Sequence, residues 1–199
     1  MTTCPGALKF TASTTALPAI RAALDVPIIG VVPAIKPAAK ASQTGRIGVL
    51  GTTGTVAHDY VDGLIEDYAR GVDVRLKGST ALVAQAEAKL AGQAVDMDVI
   101  ARELSAFTGL TPKLDQIVLA CTHFPLLAPE LSQIMGGGVT WVDSGDAIAR
   151  RVDSVMSEQG LMAGAGDDRQ LAFTTGTDIS PKRQSIFKGY GFNKLISLA

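Results

Sequence analysis

Short apolar runs alternate along this chain with amphipathic stretches, and that alternation restricts its fold more than any other feature. Val26–Val32, Arg46–Gly51, Val72–Leu76, Gln116–Cys121, Val139–Asp143 and Gln170–Thr174 each read as a strand. Between them, Thr55–Arg70 sets Val56, Tyr60, Val61, Leu64, Ile65 and Tyr68 on one helical face, and residues 79–91, 97–107 and Ser144–Glu158 repeat the pattern. Strands separated by helices pair in parallel through right-handed crossovers, so an α/β protein is expected.

The composition agrees. Hydrophobic residues make up 47% of the chain, mostly Ala, Val, Leu and Ile, with aromatics at 5% and 21 glycines, a mix that suits helices crossing closely over strands. A chain of this length buries about 70% of its extended surface on folding, which excludes intrinsic disorder. The 18 basic and 19 acidic residues leave a net charge of -1, no electrostatic footprint for nucleic acid or an anionic membrane. No apolar run reaches the roughly 20 residues of a membrane span, and the N-terminus lacks the features of a secretion signal, so a soluble cytoplasmic protein is expected. Breaks at Ser42–Gly45 and Gly136–Gly138 set off residues 43–138 as a small α/β domain. They leave 1–42 and 139–199 to pair as a second, discontinuous one.

Two cysteines, Cys4 and Cys121, exclude a disulfide framework, and with only His58 and His123 beside them a metal site is not expected. Cys121 ends the apolar run QIVLAC and is followed by Thr122, His123 and Pro125. Open α/β sheets bind ligands beyond the carboxyl ends of their strands, and a helix N-terminus or neighbouring imidazole there favours a thiolate. The same residues also fit a structural thiol at the end of a core strand. In residues 49–60, VLGTTGTVAHDY, the turn between strand and helix suits a carboxylate or phosphate, or else Thr52, Thr53 or Thr55 caps the helix. In residues 141–152, Asp143 and Ser144 stand as helix caps. His58 fits a solvated or partly packed side chain, and Lys182, Arg183, Lys188 and Lys194 the solvated face of a helix.

LACTHFPLL at 119–127, PIIGVVPAIKPAA at 27–39, IGVLGTTGTV at 47–56, WVDSGDAIARRV at 141–152 and TASTTALPAIRAAL at 11–24 together resemble the glutamate racemases of the aspartate/glutamate racemase superfamily. The resemblance implies two similar three-layer parallel-sheet domains, the first incomplete here, and cofactor-independent interconversion of L- and D-glutamate for peptidoglycan synthesis. It implies glutamate as the small-molecule partner; a core face left uncovered in the incomplete domain would lead to aggregation or a homodimer. By the same comparison, Cys121 is the second of two acid/base thiols acting on opposite faces of the substrate, His123 assists it, and Thr11, Thr122 and His123 hold substrate. So weakly acidic a proton needs a placed base, and donors to the α-carboxylate stabilise the charge that develops as it leaves.

The family's first cysteine motif, A-C-N-T-A-S-T, reads LKFTAST in this chain. Lys9 stands at the cysteine position and Phe10 at the asparagine position, while Thr11 is retained. Cys4 precedes Lys9 by about 16 Å of extended chain, too far to take its place. The substrate-contacting segment that the family carries ahead of this motif is not in the sequence. A truncated or misread member is therefore expected, one that binds glutamate weakly and exchanges the α-proton on one face only. Two alternatives are a non-catalytic α/β remnant that binds a small anion or a protein partner, and a thiol hydrolase built on Cys121 and His123, for which no third orienting group is visible.

Overall fold

A computed structural model of the chain describes residues 17–160 and 170–199. Helix α1 covers 17–23, and the segment 24–34 that follows contains neither helix nor strand. Next come α2 (Ile35–Ala41), β1 (Arg46–Gly51), α3 (Thr53–Val56), α4 (Asp59–Tyr68), β2 (Asp73–Gly78), α5 (Ala81–Leu90) and α6 (Met97–Leu104). The chain continues through β3 (Gln116–Ala120), a 3-10 turn at Phe124–Leu127, α7 (Ala128–Met135), β4 (Thr140–Val142) and α8 (Gly145–Glu158). It ends with β5 (Leu171–Thr174), α9 (Pro181–Gly189) and β6 (Lys194–Ser197).

Four strands form a parallel sheet in the order β2-β1-β3-β4, and β5 and β6 form a separate parallel pair. The central strands β1 and β3 are buried on both faces, which is why RIGVLG and QIVLA are nearly unbroken apolar runs. Ile47, Val49, Val118 and Ala120 point to one face, beneath Ile35 and Ala38 of α2 and Val61 of α4. Leu50, Ile117 and Leu119 point to the other, beneath Leu82 and Ala86 of α5, Ile100 and Leu104 of α6 and Leu131 of α7. Helices on both faces of the sheet give three layers. The chain leaves β1 for β2 and then returns past β1 to β3, so the two crossovers diverge between β1 and β3. Such a divergence opens a crevice at the carboxyl ends of the two strands.

Glycine closes two of those strand ends tightly. Gly51 and Gly78 pair at the ends of β1 and β2, and a Cβ added to Gly78 would stand 2.7 Å from the Cα of Thr53. The expected breaks at Ser42–Gly45 and Gly136–Gly138 fall in turns, with Gly136 closing α7 at a φ of 69° that a side chain would strain. The layer reaches past both breaks. It takes α2 before the first, and after the second it takes β4, whose Thr140, Trp141 and Val142 pair with Gln116, Ile117 and Val118.

Three local expectations need correction. Val26–Val32 is not a strand: its carbonyls are met by side chains, Ile28 by the Arg21 guanidinium at 3.0 and 3.2 Å and Val32 by the Ser144 hydroxyl at 2.7 Å. The single helix over Thr55–Arg70 is two helices, because Thr52 caps α3 and His58 caps α4, its Nδ1 accepting the Tyr60 N–H at 3.2 Å. The helix over 97–107 ends at Leu104, with a 3-10 turn at Ser105–Phe107. Among the described residues, no helix is long and apolar enough to cross a membrane.

Candidate active site at the carboxyl end of the sheet

The strand register sets the frame of the site. Gly51 pairs with Gly78 on one side and with Ala120 on the other, so Thr52, Ser79 and Cys121 follow at one level beyond three strand ends. The two hydroxyls turn inward: Thr52 Oγ1 lies 2.8 Å from Thr55 Oγ1 and accepts the Thr55 N–H at 3.2 Å, and Ser79 Oγ accepts the Leu82 N–H at 3.0 Å. Both are buried and spend their hydroxyls on capping, which is how the turn after β1 uses Thr52.

Cys121 faces the crevice instead. It is 4% exposed, and its Sγ lies 3.8 Å from His123 Nδ1, while His123 Nε2 lies 2.8 Å from Glu87 Oε1 on α5. A carboxylate accepts, so Nε2 donates to Glu87 and Nδ1 is the ring nitrogen that faces the thiol. Burial pushes the Cys121 thiol up, and the backbone N–H groups of His123 and Phe124 bring it only part of the way back. The sequence pattern favours a thiolate here, whereas desolvation in the structure acts in the opposite direction, toward the protonated thiol.

Cys121 lines a cavity of about 400 Å³, together with Val31, Thr122, Pro125, Asp143, Ser144 and Asp146. That volume accommodates a small ligand. Thr122 is exposed at the cavity wall, and His123 stands half-buried behind it. Of the residues expected in the site, Cys121, Thr122 and His123 are brought together, while Thr11, with Cys4, Lys9 and Phe10, lies outside the described residues. The side chain that meets His123 Nε2 is Glu87, to which no motif points. It precedes His123 by 36 positions, and only the β2-β1-β3 order carries α5 across the sheet to meet it. Ser144, expected as a cap of α8, makes no side-chain bond to that helix. His58 is a capping residue remote in sequence from the cavity and is not among its lining.

Residues 10–152 match the family described as Asp/Glu/hydantoin racemase. A glutamate racemase of Shewanella sp. (strain MR-7) is 46% identical over 190 residues, covering 93% of this chain and 69% of the relative. The chain belongs to the glutamate racemase family. As such it is an isomerase of the racemase type. A further family member, from Pasteurella multocida (strain Pm70), is 42% identical over 188 residues and is covered over 70% of its length. Among solved family structures, the Escherichia coli glutamate racemase in complex with L-glutamate and the activator UDP-MurNAc-Ala superposes with a TM-score of 0.85 at 40% identity. That match covers 96% of this chain and 71% of the other. Glutamate racemase isoform RacE1 from Bacillus anthracis gives 0.73 at 26% identity.

Proposed function

We propose that this racemase-family chain moves the α-proton of glutamate at one face of Cα, with Cys121 as the acid/base. The observation that carries the proposal is the contact series from Cys121 through His123 to Glu87, placed at the cavity where the sheet's crossovers diverge. In one direction the Cys121 S–H protonates a planar carbanion. In the other, His123 Nδ1 takes the S–H proton, the sulfur takes the proton from Cα, and Glu87 offsets the charge on the imidazolium. Thr122, exposed at the cavity, holds the substrate, and Thr11 is assigned to the same task by the family pattern. Donors to the α-carboxylate stabilise the developing charge most strongly when water is excluded.

The substrate comes from the relatives: they are glutamate racemases, and one was solved with L-glutamate. The proposed setting is cytoplasmic supply of D-glutamate for peptidoglycan. In the two-domain division expected for the family, residues 43–138, extended by α2 and β4, carry the Cys121 face. Residues 1–42 and 139–199 supply the opposing one, where Lys9 stands at the cysteine position of the family motif. The same three side chains would also orient a hydrolytic thiol, and the family match favours proton transfer over that use.

Each enantiomer of glutamate, incubated in deuterated buffer with the wild-type chain and with Cys121→Ser, tests the proposal. Deuterium at Cα of one enantiomer, without inversion and lost in Cys121→Ser, is the expected result. Equal incorporation by the two proteins removes Cys121 from the reaction. A second reading, a non-catalytic module with a protein partner, is favoured by one observation: Phe173, Tyr190 and Leu198 stand 57%, 52% and 66% exposed.

A further inference from the structure

Ser144 occupies the N-cap of α8, where a serine hydroxyl ordinarily accepts a hydrogen bond from the first turn of its own helix. It makes no such bond. Its backbone, at φ -98° and ψ 1°, departs from the extended geometry of a capping residue, and the hydroxyl donates to the Val32 carbonyl at 2.7 Å. Asp143 shapes the turn instead, its Oδ1 accepting the Gly145 N–H at 2.7 Å.

The acceptor segment explains why that hydroxyl matters. Residues 24–34 have no strand partner, so no ladder of backbone bonds fixes their place. Arg21 holds the segment at Ile28, and Ser144 holds it at Val32. Val31, next to that carbonyl, lines the cavity beside Cys121, as do Asp143 and Ser144 after β4 and Asp146 in the first turn of α8. One hydrogen bond, between residues 112 positions apart, therefore joins two walls of the cavity that holds the thiol.

We propose that Ser144 is a positioning residue: its bond to Val32 sets the width of the entrance to Cys121. Without the bond, Val31 separates from Asp143, Ser144 and the first turn of α8, and larger molecules reach the sulfur. The effect on access is a matter of geometry alone. The effect on α-proton exchange rests on the acid/base role proposed for Cys121.

Alkylation of the whole chain with Cys4→Ser, leaving Cys121 as the single thiol, tests access without requiring turnover. Iodoacetamide serves as the small probe and an N-arylmaleimide as the large one. In Ser144→Ala the maleimide rate rises relative to iodoacetamide by about fivefold to tenfold, the worth of one net hydrogen bond. Ser144→Thr, which keeps the hydroxyl, stays near the wild-type ratio, and Ser144→Val, the same size without it, follows Ser144→Ala. Ser42→Ala is the control, because it removes a 2.7 Å hydroxyl bond to Asp115 at the opposite end of the sheet and leaves the ratio unchanged.

An unchanged ratio in both Ser144→Ala and Ser144→Val overturns the proposal. An equal rise in Ser42→Ala does so as well, since that would be general loosening. Where exchange is measurable, KM for glutamate rises in Ser144→Ala more than kcat falls. A responding ratio in a protein that shows no Cys121-dependent exchange leaves Ser144 as the entrance residue and removes the acid/base role alone.

Discussion

At Cys121 two influences compete for one proton. Loss of water around the sulfur raises its affinity for the proton, and the N–H groups of His123 and Phe124 lower it by less. The alkylation rate of Cys121 should therefore still be climbing at pH values where an ordinary thiol has levelled off, as followed by mass spectrometry of the labelled peptide. Stability carries the same sign. A thiol whose folded pKa exceeds its unfolded one contributes fully below the unfolded value and loses that contribution as pH rises toward the folded value. Urea midpoints should fall across the alkaline range in wild type and fall less steeply in Cys121→Ser. His123→Ala should slow α-proton exchange by about a hundredfold, and Glu87→Gln, which removes the charge opposite the imidazolium, by about tenfold. An unaffected Glu87→Gln would show that Nε2 needs only an acceptor. The place of Cys121, Thr122 and His123 beyond a strand end was legible because neighbours in sequence there stay neighbours in space. Glu87 was not, because its place beside His123 is created by the chain's route across the sheet.

At the scale of elements, the legible parts were those whose burial pattern has a single use. Runs such as RIGVLG and QIVLA are apolar on both sides, which suits strands covered on both faces. Val26–Val32 has the same apolar density and forms no strand, because an apolar run records burial and not the partner that takes up its backbone groups. The split at His58 escaped periodicity because the apolar face continues across it while the cap interrupts the backbone. The pair β5 and β6 was half read, since Lys194–Ser197 is short and follows a basic helix. Gly78 supplies the test at this scale. A methyl group there meets backbone 2.7 Å away, which cannot swing aside as a side chain can. Gly78→Ala should cost about 1–3 kcal/mol in urea unfolding and displace the Thr52–Thr55 turn.

For the whole molecule, the two sheets differ in how well they are covered. The larger one is enclosed by helices on both faces, whereas Phe173 and Leu171 of β5 remain open to solvent. The homodimer expected of an uncovered core face belongs to this scale. Sedimentation velocity should show concentration-dependent association, and Phe173→Ser should shift it toward monomer; a wild-type monomer at every concentration would count against both the dimer and the partner-binding reading. The contact series is confined to the larger layer: Glu87, Cys121 and His123 all fall between positions 87 and 123. In genetic terms these three side chains are one block of inheritance. A recombination breakpoint anywhere outside those positions passes them on together, so a descendant gene can exchange the flanking segments and keep these three side chains as a set.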